Sequence, residues 1–171
     1  MNCLIVGRTQ EDVAECATYG LKTHNPAPST LEVDYKSFPG EVITCHTVKP
    51  WSSYACSVEC SQRVIDSALA NPTKVIIGQS ELHKIPDDSP LWESAIVFDH
   101  AKGHRHPDSN SGQFALWWAL ESGYHEIYTV GLDFVNDKER LFMISRMLKR
   151  YKAKVYKVSK TSWLPVPIKH W

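Results

Sequence analysis

The sequence predicts a three-layer α/β/α domain built on a mainly parallel sheet of five to six strands. Three observations indicate this class. Short apolar runs of strand length recur along the chain, and helical segments separate them at the spacing of βαβ units. The third observation is size, because 171 residues, 43% hydrophobic and 22% charged, suit one domain spanning residues 1–171.

The predicted strands are apolar runs with few charged positions. Such runs are typical of parallel strands that helices cover on both faces, since every side chain then enters the core. The first run ends at Gly7 and leads directly into a helix, which is how a Rossmann-like unit opens. The runs are Asn2–Gly7, Glu41–His46, Lys74–Gly78, Ser94–Asp99, Glu126–Leu132 and Ala153–Val158.

The predicted helices follow from capping residues and apolar periodicity. Thr9 is suited to cap a helix over Thr9–Tyr19, and Gly20 to close it. Ser52 and Ser53 offer caps for a second helix through about Ala70. Further helices are predicted over Ser111–Ser122, capped by Ser109 or Ser111, and over Asn136–Tyr151. Loops are predicted at His24–Thr30, Gln79–Leu91 and His100–Asn110, with the tail after Val158 packed on the surface.

Composition narrows the class of protein. No apolar run approaches the roughly 18 residues that a membrane helix needs, and the amino terminus has no basic leader, so a cytosolic protein is expected. An odd number of cysteines favours reduced structural thiols over disulfides. A metal pair at Cys56 and Cys60 is the alternative, but no second Cys/His pair stands at zinc-site spacing. The cysteines are Cys3, Cys16, Cys45, Cys56 and Cys60.

Charge is distributed unevenly between the two parts of the chain. Residues 1–98 carry 7 Lys and Arg against 12 Asp and Glu, and residues 99–171 carry 12 against 7. This asymmetry is compatible with an anionic partner or with the solvated face of a helix and its flanks.

Ligands of open parallel sheets bind outside the carboxyl ends of the strands, which directs attention to the loops there. Gly7, Arg8 and Thr9 combine a strand-end glycine, a cation and a helix start, a combination that favours a phosphate. The alternative is an ordinary tight turn, because the segment is neither a complete dinucleotide fingerprint nor a P-loop.

Two further strand-end segments are candidates for nucleotide binding. Ser111 and Gly112 begin a helix, where their donors suit a phosphate or a sugar hydroxyl. At the end of the predicted strand Glu126–Leu132, Gly131 precedes Asp133 and Phe134. The Asp133 carboxylate is suited to bind a ribose diol, and the Phe134 ring is suited to pack on a base. The alternatives are a plain helix cap at each position and a core role for the phenylalanine.

The loop from Asp99 to Asp108 is the most unusual segment for its chemistry. Its three histidines, His100, His104 and His106, are candidates for acid/base catalysis, because histidine titrates near neutral pH. A metal ion is an alternative ligand, since imidazole and carboxylate suit several divalent ions, but the spacing specifies no unique metal geometry and no metal ligands are assigned. A solvated loop is the alternative.

One stretch carries a family resemblance. Residues 111–134 read SGQFALWWALESGYHEIYTVGLDF, in which Ser-Gly opens a helix and Gly-Tyr-His-Glu-Ile-Tyr and Gly-Leu-Asp-Phe follow. This stretch resembles the core motif of bacterial sialyltransferases of glycosyltransferase family 42. The opening CLIVGRTQEDV and the segment Leu148–Leu164 are more loosely similar to that family, so that the resemblance covers about half of the chain.

The resemblance implies a Rossmann-like domain that binds a CMP-activated sugar and needs neither a metal nor another cofactor. Ser111 and Gly112 would lie near the sugar or phosphate, and Gly131, Asp133 and Phe134 would line the nucleotide pocket. The Gly7–Thr9 loop would face the phosphate. The family's lid and catalytic histidine have no counterpart after Phe134. A catalytic base would therefore have to come from His100, His104 or His106.

Three functions are carried forward from the sequence. The first is binding of a nucleotide-activated sugar, with its transfer to an acceptor. The second is a non-catalytic module that sequesters or senses a nucleotide, which the missing lid favours. The third is binding of an anion or nucleic acid by the basic C-terminal segment, the least expected of the three. A small-molecule nucleotide is the expected partner, with a homo-oligomer left open.

Overall fold

Seven parallel strands form one sheet in the computed structural model, which describes residues 1–22, 24–58, 61–71, 74–98 and 110–171. Every neighbouring pair is parallel, so each strand is joined to the next by a crossover. The strands are β1 (Asn2–Val6), β2 (Glu41–Cys45), β3 (Tyr54–Ser57), β4 (Lys74–Gly78), β5 (Ala95–Phe98), β6 (Glu126–Val130) and β7 (Lys154–Lys157).

Helices or 3₁₀ turns lie in most of the connections between these strands, and residues 46–53 join β2 to β3 without either. Short 3₁₀ turns at Tyr35–Ser37, Gln79–Lys84 and Pro90–Glu93 complete the connections that the structure describes. The α-helices are α1 (Gln10–Thr18), α2 (Pro28–Glu32), α3 (Gln62–Ala70), α4 (Ser111–Glu121) and α5 (Lys138–Leu148). None of the helices in the described ranges is long and apolar enough to span a bilayer.

The order of the strands places β1 inside the sheet and creates a switch in direction. The order is β5-β4-β3-β2-β1-β6-β7, so the chain builds outward from β1 to β5 and then returns to the other side of β1. The crevice of such a sheet lies where the direction reverses, at the carboxyl ends of β1 and β6. The predicted Rossmann-like α/β class is confirmed, with seven strands in place of five to six.

Alternate strand residues enter different cores, which defines the three layers. Ile5 and Ile43 pack with Leu116 of α4 and Ile144 of α5 on one face. On the other face, Ala55, Val75 and Ile77 pack with Val64 and Ala68 of α3, while Leu4, Val6 and Val42 form a neighbouring cluster. The period of two along each strand therefore fills both faces, as the uninterrupted apolar runs predict.

The predicted helix from Ser52 or Ser53 to Ala70 is wrong in its first half. Tyr54–Ser57 forms β3, and α3 begins only at Gln62 after the cap position Ser61. Ser52 instead bonds locally, its Oγ donating to the Lys49 carbonyl oxygen at 2.9 Å. Cys56 consequently lies in a strand, and the Cys60 of the metal-pair alternative lies outside the described residues.

Smaller corrections concern caps and helix ends. The cap of α4 is Asn110, whose Oδ1 accepts from Gln113 N at 2.9 Å, instead of Ser111, and Ser109 lies outside the described residues. The predicted loop His24–Thr30 contains the start of α2, because Pro28 supplies a first-turn residue that needs no N–H partner. Thr9 caps α1 as predicted.

A buried cluster of charges fastens α1 and α3 to the segment after β2. Asp12 Oδ1 lies 3.0 Å from Arg63 Nη2 and 3.2 Å from Lys49 Nζ, and Lys49 also pairs with Glu15. The other Asp12 oxygen accepts from the Thr9 amide and hydroxyl, both at 2.9 Å. Because Asp12, Lys49 and Arg63 are nearly inaccessible to solvent, removing one partner leaves a buried charge uncompensated.

We expect Asp12→Ala to lower the free energy of unfolding by about 3–5 kcal/mol, since the two buried cations Lys49 and Arg63 are then left with the single carboxylate of Glu15. Glu11→Ala is the matched control, because Glu11 neighbours Asp12 but forms its ion pair with Lys36 at the exposed surface. Such a pair contributes less than about 1 kcal/mol. Urea denaturation of both variants measures the difference. Equal losses in the two variants would show that the buried cluster does not fasten the helices.

Candidate functional site

The carboxyl edge of the sheet is organised by a close approach of two glycines. Gly7 follows β1 and Gly131 follows β6, and Gly7 N donates to the Val130 carbonyl oxygen at 2.8 Å. A Cβ at Gly7 would lie 2.2 Å from the Gly131 carbonyl oxygen, and Gly131 itself has a φ of +75°. Glycine is therefore required at both positions, and the backbones of the two strand ends lie against each other at the switch point.

The short helix α2 covers this junction on one side and uses Asp133 to do so. Asp133 Oδ2 accepts from Ser29 N at 3.1 Å, and Oδ1 accepts from Ser29 Oγ at 2.5 Å. Ser29 Oγ in turn accepts from Gly131 N at 2.6 Å. Asp133 thus caps the start of α2, because the side chain of the N-cap residue Ala27 has no hydrogen-bond acceptor. Its predicted ribose contact stays a prediction and requires Ser29 to give way.

In the Gly7–Thr9 loop, the Thr9 side chain is part of the fold and the Arg8 side chain is exposed to solvent. Thr9 is buried and belongs to the capping box of α1. Arg8 is exposed, and its Nη1 donates to the Asn25 carbonyl oxygen at 3.3 Å. Of this predicted phosphate loop, the Arg8 guanidinium and the backbone are the groups that can meet an anion.

A serine and a histidine meet at the start of α4. Ser111 Oγ lies 3.2 Å from His46 Nδ1 and accepts from Val58 N, also at 3.2 Å. His46 follows β2, and its amide donates to the Cys56 carbonyl oxygen at 2.8 Å. The pair therefore joins the carboxyl ends of β2 and β3 to the first turn of α4. In the sequence, His46 stands out only as a histidine at a strand end.

Left-handed backbone conformations gather at the same edge. His46 has a φ of 72°, Phe134 of 46° and Asn136 of 61°, and all three follow the ends of β2 or β6. Such a conformation raises the free energy of a residue other than glycine by about 1–3 kcal/mol. The surrounding packing must offset that cost, and residues of this kind concentrate where a protein binds or reacts.

Gly112 lets the first turn of α4 dock against the segment after β6. A Cβ at Gly112 would lie 2.5 Å from Leu132 Cδ2, with Phe134 Cζ at 3.7 Å from it. Phe134 is half-buried and packs against the core cluster beneath α4 and α5. This contact brings two predicted ligand residues, Gly112 and Phe134, to one place.

Trp163 is a further aromatic residue at this edge that sequence reasoning did not assign to the site. Its amide donates to the Asp133 carbonyl oxygen at 2.7 Å, and Ser162 Oγ donates to the Leu132 carbonyl oxygen at 3.0 Å. Lys157 Nζ holds the carbonyl oxygens of Ser162 and Leu164. Although its backbone is fixed and both neighbours are buried, the Trp163 side chain is 45% exposed.

The predicted site residues thus collect at the carboxyl edge as far as they are described. The structure brings together Gly7, Arg8, Thr9, Ser111, Gly112, Gly131, Asp133 and Phe134. The histidines His100, His104 and His106 lie outside the described residues. Within the described ranges, no three His, Cys, Asp or Glu side chains are grouped so as to hold a metal ion.

Several basic residues of the C-terminal part are engaged within the protein. Lys157 binds two carbonyl oxygens, and Lys169 pairs with Glu126 at 3.1 Å and lies 4.5 Å from the centre of the Tyr156 ring. Hydrogen bonding to Tyr128 and Glu126 raises the pKa of Lys169, and the bond from Lys169 lowers the pKa of Glu126. The Glu126 pair neutralises the charge of Lys169, and the two carbonyl oxygens occupy the ammonium group of Lys157.

Comparison with known proteins gave no relative for this chain. No protein-family model matches it, and no curated protein or solved structure matches it either.

We expect Gly7→Ala to destabilise the protein by about 3 kcal/mol or more, because the added methyl overlaps the Gly131 backbone, which cannot move aside as a side chain can. Gly20→Ala is the control. Its φ is +65° with open space around it, so the cost is only that of a left-handed alanine, about 1 kcal/mol. Chemical denaturation compares the two, and a smaller loss for Gly7→Ala would contradict the close approach.

Proposed function

We propose that this protein binds a nucleotide-activated sugar of the CMP type at the carboxyl edge of its sheet. The observation that carries the proposal is the meeting of the α4 amino terminus, at Ser111 and Gly112, with the segments after β2, β3 and β6. A helix amino terminus at the switch point of a parallel sheet is a favourable position for a phosphate.

The phosphate is proposed to lie between the first turn of α4 and Arg8. The backbone N–H groups of that turn and the partial positive charge of the helix end favour an anion, and the exposed guanidinium adds a charge-assisted donor.

The nucleoside is proposed to extend from the phosphate toward β6 and β7. Phe134 and Trp163 offer aromatic rings in that direction, and every base has a face that can stack on them. The distance from the end of β2 to the segment after β7 is three inter-strand spacings, about 14 Å. That span is comparable with an extended nucleoside monophosphate.

The resemblance of residues 111–134 to family 42 sialyltransferases selects CMP among the nucleotides. The segments that carry this resemblance, Ser111–Gly112 and Gly131–Phe134, contact each other in the fold through Gly112, Leu132 and Phe134. Residues that match a motif and also share one site support a common ligand.

A non-catalytic nucleotide-binding module is the second candidate. Only Val135, Asn136 and Asp137 separate Phe134 from α5, so the described chain has no lid at the position where the resembling family carries one. Binding of CMP without turnover of a CMP-activated sugar would establish this function instead of transfer.

Arg8→Gln is expected to weaken CMP binding about tenfold, because a charge-assisted hydrogen bond to phosphate contributes roughly 1.5 kcal/mol or more. Lys154→Gln is the matched control, since this exposed lysine begins β7 at the opposite edge of the sheet. Isothermal titration calorimetry with CMP measures both affinities. Absence of CMP binding to the unaltered protein, or an equal effect of the two substitutions, would refute the proposed phosphate position.

Trp163→Ala is expected to lower the affinity for CMP by about fivefold or more, corresponding to the roughly 1–3 kcal/mol of one base–aromatic contact. Its effect on ribose 5-phosphate should be small, because that probe has no base to stack. Trp92→Ala is the control, an exposed tryptophan that precedes β5 at the amino edge. Unchanged CMP affinity in Trp163→Ala would exclude stacking on this residue.

A further inference from the structure

The carboxylate of Asp133 is occupied from within the protein. Its Oδ2 accepts the backbone N–H of Ser29 at 3.1 Å, and its Oδ1 accepts the Ser29 hydroxyl at 2.5 Å. A ribose diol brings two O–H donors to a carboxylate that follows a strand of a nucleotide-binding sheet. Ser29 therefore supplies one donor to each oxygen of Asp133, as a diol would.

Burial places the remaining lone pairs of this carboxylate out of reach of a ligand. Each oxygen of an ionised carboxylate has room for a second hydrogen bond. Only 6% of Asp133 and 1% of Ser29 are exposed to solvent, because α2 lies over them. A diol reaches the Asp133 carboxylate only after Ser29 has moved away from it.

Moving Ser29 would break more hydrogen bonds than a diol restores. A diol replaces the two bonds to Asp133. The amide of Gly131, which donates to Ser29 Oγ at 2.6 Å, would lose its acceptor. The start of α2 is also tied to the loop after β1, because Ala27 N donates to the Arg8 carbonyl oxygen at 3.0 Å. An exchange that leaves such groups unpaired is unfavourable, so it favours Ser29 over the diol.

The ribose of the proposed nucleotide passes this position. The phosphate is proposed to lie at Arg8 and the first turn of α4, and the base at Phe134 and Trp163. Asp133 joins these two ends, since it precedes Phe134 in the chain and its carbonyl oxygen accepts from Trp163 N at 2.7 Å. The sugar between phosphate and base therefore meets a carboxylate that Ser29 already holds.

We propose that Ser29 is a specificity-determining residue of the nucleotide site, because it closes the Asp133 carboxylate to the ribose diol. The site then makes no distinction at the 2′-hydroxyl and takes ribonucleotides and deoxyribonucleotides of cytidine alike. The inference rests on the proposed binding of CMP and adds which part of that ligand is not recognised. A site built to bond a hydroxyl strongly rejects the analogue that lacks it, and this site has no such penalty.

Calorimetric titrations with CMP and with 2′-deoxy-CMP test this inference in the intact chain. The unaltered protein should bind the two nucleotides with dissociation constants within twofold of each other. Ser29→Ala removes the hydroxyl from both Asp133 and Gly131, so a diol gains an open carboxylate oxygen. That variant should prefer CMP over 2′-deoxy-CMP by about fivefold or more.

Ser145→Ala is the matched control, because the Ser145 hydroxyl donates to the Leu141 carbonyl oxygen within α5 and has no contact with Asp133. It should bind both nucleotides as the unaltered protein does. Thermal melts verify that each variant is folded. Ser29→Cys, which keeps the size of the side chain with a weaker donor, replaces Ser29→Ala if that variant does not fold.

Two results would overturn the inference, and a third concerns binding itself. A preference of the unaltered protein for CMP beyond twofold would show that α2 gives way to the diol. Equal binding of both nucleotides by the folded Ser29 variant would show that Ser29 does not set the specificity. Failure of the unaltered protein to bind either nucleotide would instead refute the proposed function.

Discussion

The backbones of Gly7 and Gly131 lie against each other where the strand order reverses, and the arrangement of the carboxyl edge depends on that contact. No side chain fits between them, so the ends of β1 and β6 stay at sheet spacing up to their last residues. Ser29 can then bond to Gly131 and Asp133 together, which seats α2. The segment after β6 leaves this junction at Gly131 and packs against Gly112 at the start of α4.

The two sides of this edge differ in their buried charges and in their backbone conformations. The buried charges of Asp12, Lys49 and Arg63 fasten α1 and α3, and both oxygens of Asp12 meet a donor. The left-handed residues His46 and Phe134 lie toward α4, where the backbone holds conformations that cost free energy. A well-fastened scaffold on one side can hold a strained arrangement on the other, which is how a binding site keeps its geometry before a ligand arrives.

Local patterns predicted most of the sheet and only part of the site. The apolar runs and the strand-end rule found β1 and β6 and the loops that follow them. Ser52 and Ser53 resemble helix caps and an apolar stripe follows them, so the sequence predicts a helix across Tyr54–Ser57. Its strand conformation comes from pairing with β2 and β4 on both sides, which no local pattern records. The contact of His46 with Ser111 joins distant segments, so it also leaves no local signal.

The position of the ligand tests this account most directly. Backbone amide spectra of the 19.4 kDa protein, recorded during titration with CMP, can map it residue by residue. We predict shifts at the amides of Arg8, Val58 and Gly112, with none at Gly40, Gly123 and His125 on the amino edge. Shifts confined to the amino edge, or no shifts at all, would contradict a nucleotide site at the carboxyl ends of the strands.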